Sequence, residues 1–595
     1  MTAPFAILLA VSAFVLAERG KAPDAVLSVE PKDEVAAFAA DELREYVRRM
    51  TGVSLAESPA TAPRRIAIVR GDAGLGEDGF EITASEGELR IAGGPRGVLY
   101  GVYELLERFG GVAWFTSWCE DVPARDRIEV PVKTRIRQLP AFPVREVFWT
   151  DALENPVFAA RLRSNNRSWH KPVAKTGGNA IRFGGGLVNC HTFGTLMPTN
   201  VYFETHPEYY SEVGGKRIGL WPQLCLSNPE VLAIVTSNVL AAIRRDPTAT
   251  CYGVSQNDWA NNCTCAACRA IDEAEGSPSG SIIRFVNRVA DEVVKVAPDK
   301  IVETLAYQYS QHPPRTARPR DNVMVCLCSI ECDFSRPLAE SRFPADAAFL
   351  ADLGAWSGMT RRLYVWDYTT NFSHFQLPHP NVKSLQANIR SFRDAKVHYL
   401  FEQGVFKGWH GDFAELKAYL LGKWMWDPDL PAEPLLDRFF RGYYGAAAAC
   451  ARECFERLHA LPHDEAKNPL KPFTAFGAHA SSSNPVFLAE SRALWRRAEE
   501  LVRDDPVRRY NVRTSSLPID YAVFLRCERD ASGAVTRGKA ARRILAIMDE
   551  AKAAGREIIL CESLKRHAET LERLRACAKA KGDLNPNENT KKQGG

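Results

Sequence analysis

Eight short apolar runs recur between residues 142 and 404, most of them separated by longer amphipathic segments. That spacing constrains the fold more than any other feature of the chain. The runs are FPVREVFW (142–149), NAIRFGG (179–185), PQLCLS (222–227), CYGVSQND (251–258), ETLAYQY (303–309), VMVCLCSIE (323–331), LYVWDY (363–368) and HYLFEQG (398–404). Several are nearly continuous in apolar residues, as suits parallel strands covered on both faces. Between them, SIIRFVNRVADEVVK places Ile282, Val286, Val289 and Val293 on one helical stripe. Eight such units in about 285 residues predict a TIM-like (β/α)8 barrel over 140–428, with right-handed crossovers. PQLCLS has the least strand character, and the fifth-to-sixth connection is too short and Pro-rich for a full helix.

The flanks read differently. Residues 22–135 predict a small α/β domain. EVAAFAADELREYVRRMTG sets Val35, Ala39, Leu43, Val47 and Met50 at helical spacing before Gly52, and RRIAIVRG, GFEITAS and ELRIAGG read as strands. Gly93-Gly94-Pro95 precedes a second helix but lacks any phosphate-loop spacing, so it reads as a tight strand-to-helix turn. Residues 430–580 lose the strand signal and predict a helical domain, followed by a disordered polar tail over 581–595. At the start, the apolar run Phe5–Ala17 has the length of a signal-peptide core, so residues 1–20 predict export and a secreted or periplasmic location. The run lacks a preceding Lys or Arg, and a misplaced start or a buried strand are its alternatives. No other segment has the apolar length of a membrane span.

Charge narrows the partners. The 76 basic and 72 acidic residues leave a formal net charge of +4 with no basic tract, which argues against nucleic acid. Twelve Trp, seventeen Tyr and twenty-nine Phe supply flat faces on which sugars can stack.

In a barrel of this type the C-terminal strand ends converge on one mouth. Asp258, Glu331, Asp367 and Glu402 fall at the ends of the fourth, sixth, seventh and eighth runs, while Glu146 lies inside the first and Glu303 opens the fifth. Gathered carboxylates suit glycoside hydrolysis, where one protonated acid serves the leaving oxygen and a negative group faces the oxocarbenium-like carbon. Trp259, Tyr307, Trp366, Tyr368 and Trp409 offer platforms at the same ends, and Asn257, Asn371, Gln403, His191 and His410 offer hydrogen bonds. The essential pair is assigned as Asp258 and Glu402, with Glu331 and Asp367 assisting. This reading requires Asp258 and Glu402 to meet at one open rim.

Cys263, Cys265 and Cys268 form C-x-C-x2-C, one short of the four ligands of a structural zinc. A fourth is available in Cys225, Cys190 or His191, and a disulfide within the three is the competing reading. No metal or other cofactor is assigned.

FAADELREYVRRMTG and GGPRGVLYGVYELLERFGGVAWF resemble the N-terminal domain of family 67 α-glucuronidases and of β-hexosaminidases. HTFGTLMP, YFETHPEYYSEVGGKR, VSQNDWANNCTCAACRAIDEAEGSPSGSIIRFVN, LCSIECDFSRPL, WDYTTNFSHFQLPHPN and YLFEQG resemble domain of unknown function 4838, which characterises glycoside hydrolase family 163. The resemblance covers roughly residues 25 to 430. It implies a TIM-barrel hydrolase, with β-N-acetylglucosaminidase-like cleavage of an N-glycan core in which Asn257-Asp258 orients the substrate's acetamide and supplies an acid. An α-glucuronidase-like hydrolase, a non-catalytic glycan-binding barrel and a metal-dependent hydrolase built on the cysteines are the rival readings.

Overall fold

The computed structural model describes residues 12–57, 64–464, 467–475, 482–529 and 534–579. The chain forms two compact units. The first comprises the described residues up to Pro143 together with Asn155–Asn165 and Lys171–Asn179. The second comprises Val144–Glu154, Asn166–His170 and the described residues from Ala180 onward.

In the first unit, β2 (Val26–Glu30), β3 (Arg65–Arg70) and β5 (Glu88–Gly93) pair in parallel. β4 (Phe80–Ala84) and β7 (Arg135–Gln138) continue the sheet antiparallel, giving the order β2-β3-β5-β4-β7. Helix α1 (Glu34–Thr51) starts where the Asp33 carboxylate accepts from the Val35 and Ala36 N–H groups and stops at Gly52. Its stripe Val35, Ala39, Leu43, Val47 and Met50 is buried, as the spacing predicts. The glycine turn before α2 (Gly97–Leu105) is a packing device: a Cβ on Gly94 would stand 1.9 Å from the Gly76 carbonyl oxygen. Part of the run read as an export signal also belongs to this unit. Residues Ala13–Glu18 form β1, antiparallel to β6 (Arg127–Pro131), with Phe14 and Leu16 buried. The first eleven residues lie outside the described ones.

The second unit is built on a curled parallel sheet of six strands. These are β8 (Val144–Phe148), β9 (Cys251–Gly253), β10 (Ile301–Ala306), β11 (Val323–Cys328), β12 (Leu363–Tyr368) and β13 (Tyr399–Gln403). Their order is β8-β13-β12-β11-β10-β9, so the first strand pairs with the last, as in a barrel. Every residue of β11, β12 and β13 is buried, which is why these runs read as continuous apolar stretches. Helices Ser279–Val296, Pro344–Ser357 and Val382–Asp394 provide three crossovers, while a single short turn, Gln308–Ser310, stands in the fifth-to-sixth connection. Beyond the helix Ala414–Trp426 the described residues form no further strand, and six helices of at least twelve residues run from Ala432 to Lys579. The tail read as disordered lies outside the described residues.

The eight-stranded ring expected from the sequence is thus a six-stranded arc. From the second run, Phe183 alone pairs with Cys251, after which Gly185 and Gly186 take left-handed backbone (φ 62° and 80°) and turn the chain away. The third run opens on Pro222, which has no N–H for a ladder. Its Gln223 side chain instead donates to the Asn257 and Trp259 carbonyls, at 2.9 and 2.6 Å, and Leu224 bridges antiparallel to Tyr210. Among the described residues, no helix is long and apolar enough to cross a membrane.

Candidate active site

A cavity of about 500 Å3 opens at the C-terminal ends of these strands. Leu305, Cys328, Trp366, Tyr368 and Gln403 line it from β10 to β13, and Trp169, Cys190, His191, Asp258, Tyr307, Gln308, Ile330, Phe372 and Phe406 line it from the loops. Phe473 and Glu562 complete the wall from the helical region. Trp366 and Tyr368 stack with ring centres 6.3 Å apart, and the Trp366 Nε1–H donates to Gln403 Oε1 at 2.7 Å. Three lining residues, Trp169, His191 and Gln308, hold left-handed backbone at φ 67°, 55° and 51°, a conformation that costs non-glycine residues and clusters at functional sites.

Asp258 stands where the sequence places it. The chain from β9 to Asp258 is pinned to β10 and its continuation: Val254 N–H donates to Glu303 O at 2.7 Å, and Gln256 Nε2 donates to Tyr307 O at 3.0 Å. The Asp258 side chain is 58% exposed, accepts from the Tyr307 hydroxyl at 3.0 Å and has His191 Nε2 at 3.7 Å. His191 Nδ1 lies 2.9 Å from the Gln256 carbonyl, so it must carry a proton there, and Nε2 is the nitrogen turned toward the carboxylate. Burial and the neighbouring Asp258 push the Tyr307 hydroxyl well above its ordinary pKa, keeping it a donor.

The second cavity carboxylate is Glu562, which no strand-end reading selects. It arrives because the stretch before the last helix is sewn to the barrel loops. Trp409 N–H donates to Glu557 O, Phe375 N–H to Leu560 O and Glu562 N–H to Phe372 O, each at 2.9 Å. Burial and the charge of Asp258 raise the Glu562 pKa, against a lowering by Lys407. Glu331 is half-buried beside the lining residue Ile330, and burial raises its pKa too. The only sequence trace of Glu562 is REIILCES, an apolar run within the helical region that ends in an acid.

Glu402 and Asp367 do not join Asp258. Successive side chains on a strand point to opposite faces. Trp366 and Tyr368 line the cavity, so Asp367 between them faces away; Gln403 lines it, so Glu402 faces away. The two acids are register partners on the far face, where Ser329 Oγ donates to Asp367. Neither Glu402 oxygen has a hydrogen-bond partner among the described residues, and burial with Asp367 alongside drives its pKa well up. Burial likewise raises the Asp367 pKa, to about 6. Glu303 is fully buried one layer below Leu305, while Glu146 is held by Asn166, Ser168 and Tyr399.

Other expected binding residues serve the scaffold. Asn257 is spent on loop geometry: its Oδ1 accepts from Gly194 N–H and its Nδ2 donates to Pro222 O, both at 2.9 Å. It is therefore not free to orient a substrate acetamide. Trp259 donates to the same carbonyl at 2.8 Å and packs edge-on against Trp221. Trp409 is outside the cavity lining, Asn371 donates to Thr474 O at 2.9 Å, and His410 is buried between Glu415 and Tyr510 at 2.6 and 2.7 Å. Tyr307, Trp366, Tyr368, His191 and Gln403 line the cavity as expected.

No curated protein matches this chain. Among solved structures, a family GH115 4-O-methyl-α-glucuronidase with specificity for decorated arabinogalactans is similar over 90% of this chain and 77% of its own. Its identity is 13% and its TM-score 0.54, a likeness of fold alone. The GH20 β-N-acetylhexosaminidase of Streptomyces coelicolor A3(2) aligns over 78% of this chain and 97% of its own, at 13% identity and TM-score 0.38. A family 89 glycoside hydrolase from Clostridium perfringens aligns over 87% and 66%, at 10% identity and TM-score 0.44. Residues 21–111 match the family described as glycosyl hydrolase family 20, domain 2. Residues 114–456, more than half of the chain, match the domain of unknown function DUF4838, and the protein belongs to that family.

Proposed function

We propose that the protein is a glycoside hydrolase in which Glu562 is the general acid and Asp258 the facing carboxylate. One observation carries the reading: these two acids share a single aromatic-walled cavity at the C-terminal strand ends. Burial and Asp258 favour the protonated form of Glu562, which suits it to protonate a leaving oxygen. Asp258, steadied by the Tyr307 hydroxyl, supplies negative charge toward the carbon that becomes electron-poor as the bond breaks. Trp366 and Tyr368 offer a stacking face for the sugar, and Gln403, Gln308 and His191 can hydrogen-bond its hydroxyls. Glu402 and Asp367 have no part in this arrangement.

The cavity favours a neutral or N-acetylated sugar over a uronic acid. No Lys or Arg lines it, and Lys407, 3.4 Å from the Glu562 carbonyl oxygen, already offsets the charge of Glu562, so a uronate carboxylate would lie beside two acids without a lining cation of its own. Cleavage at N-acetylglucosamine of an N-glycan core is the substrate reading we put first. With Asn257 committed to its loop, an acetamide would take its partner from Tyr307, Gln308 or Gln403 instead. The test is turnover of N-glycans and aryl glycosides by the purified chain, with Asp258→Asn and Glu562→Gln as variants. Both variants should retain the fold and lose hydrolysis. Full activity in both would reject the site, and glycan binding without turnover by the wild-type protein would favour a non-catalytic barrel.

A further inference from the structure

Beyond the cavity, four cysteines meet in the wall behind the loop that carries Asp258. Cys225, from the segment Pro222–Ser227, joins Cys263, Cys265 and Cys268, and the four sulfurs lie within 4.8 Å of one another. All are buried and none is in a disulfide. Cys225 Sγ is 3.8 Å from Cys265 Sγ and 3.9 Å from Cys268 Sγ. A tetrahedral ion with zinc–sulfur bonds of about 2.3 Å sets its sulfurs about 3.8 Å apart. A disulfide would set a pair at about 2.05 Å.

Four buried cysteines can also pack as small apolar residues. The surroundings argue otherwise, because polar donors point at the sulfurs. Glu212 N–H and Arg217 Nη1 donate toward Cys263 Sγ at 3.4 and 3.5 Å, while the Cys268 thiol donates to Ser227 Oγ at 3.1 Å and the same hydroxyl lies 3.5 Å from Cys225 Sγ. The Arg217 Nη1 also donates to Tyr210 O at 2.7 Å, which fixes the guanidinium beside Cys263 and sets positive charge where a thiolate ligand would need it. The ligand segments are also fixed locally. Cys265 caps the helix Ala266–Glu275, Cys268 sits in its first turn, and Thr264 N–H donates to Glu212 O at 2.8 Å.

We propose that Cys225, Cys263, Cys265 and Cys268 bind one structural zinc ion as a tetrathiolate. Binding releases the four thiol protons and leaves a net charge of two minus, which Arg217 partly offsets. With all four positions filled by sulfur, no coordination site is left for water or substrate, so the ion does not take part in hydrolysis. Its task is positional. Gln223, two residues before Cys225, clamps the carbonyls of Asn257 and Trp259, the residues on either side of Asp258. The ion ties that clamp to the far end of the same loop at Cys263 and so holds Asp258 at the cavity rim.

The experiment is metal analysis of the untagged full chain, expressed with zinc in the medium and purified without chelators. It should contain about one zinc per chain, and the cobalt-substituted protein should show the visible bands and thiolate charge-transfer absorption of a tetrahedral sulfur site. Cys225→Ser and Cys268→Ser should each lower zinc content about tenfold or more. Cys561→Ser, which alters a buried cysteine outside the cluster, should not. Hydrogen exchange across residues 256–268 should quicken when zinc is removed. None of these three readouts depends on turnover, so the zinc site and the glycosidase reading fail separately. Protein without zinc that also gives no tetrahedral cobalt spectrum would overturn the proposal. So would iron in place of zinc, a disulfide among the four, or zinc retained in both cluster variants.

Discussion

Glu562→Gln tests the assignment of the general acid most sharply. The substitution keeps the size of the side chain and its place beside Phe372, and removes only the proton that can be given to a leaving oxygen. A positioned general acid contributes about 10²–10⁴ in rate, equivalent to about 3–5 kcal/mol of transition-state stabilisation. The loss should appear in kcat on a glycan whose leaving group is a sugar alcohol. It should shrink toward unity on a dinitrophenyl glycoside, because that phenolate departs without a proton. The pH profile supplies a second reading. Burial and Asp258 hold the Glu562 pKa above the ordinary carboxylate value of 4.5, so the protonated form persists at higher pH and wild-type activity falls as pH rises through that shifted pKa. The variant should lack this alkaline limb. Equal losses on the two leaving groups, or an unchanged alkaline limb, would refute the role given to Glu562.

The displaced acids give a contrasting expectation. Glu402→Gln should leave turnover intact and stabilise the protein near neutral pH. The wild-type carboxyl is neutral when folded and ionised when unfolded, so stability falls by up to about 1.4 kcal/mol per pH unit between its unfolded and folded pKa values. Urea melts at pH 5 and 8 read this slope, and an identical pH dependence in the variant would count against it. Tyr307→Phe removes the hydroxyl 3.0 Å from Asp258; a charge-assisted hydrogen bond of about 1.5–3 kcal/mol predicts a 10- to 150-fold fall in kcat/KM. Wild-type kinetics would show that this bond contributes nothing in the transition state. Gly404→Ala would place a Cβ 1.8 Å from the Trp149 ring and should cost about 1–3 kcal/mol, read as a lower Tm. An unchanged Tm would mean that Trp149 has room to move.

Much of the site was legible because strand ends in a parallel sheet share one rim. Asp258, Tyr307, Trp366, Tyr368 and Gln403 all reach the cavity as that rule predicts. The same rule misplaced Asp367 and Glu402 because proximity to a strand end was counted without parity. Trp366 and Tyr368 on one face force Asp367 onto the other, a test already present in the alternation of LYVWDY. Glu562 was not legible. Its approach depends on three backbone hydrogen bonds between distant segments, and such pairings leave no periodic trace in sequence.

Local chemistry in the chain determined the buried parallel strands, the helical crossovers and C-terminal helices, the α1 stripe and its cap, and the position of Asp258. Each of these follows from side-chain periodicity or from a turn residue acting on its neighbours. Tertiary structure alone decided that the ring is a six-stranded arc, that Glu562 rather than Glu402 lines the cavity with Asp258, and that Cys225 joins the sulfur cluster. These outcomes depend on which remote backbone groups find hydrogen-bond partners and which side chains are shut away from water, and both quantities exist only once the chain has closed on itself.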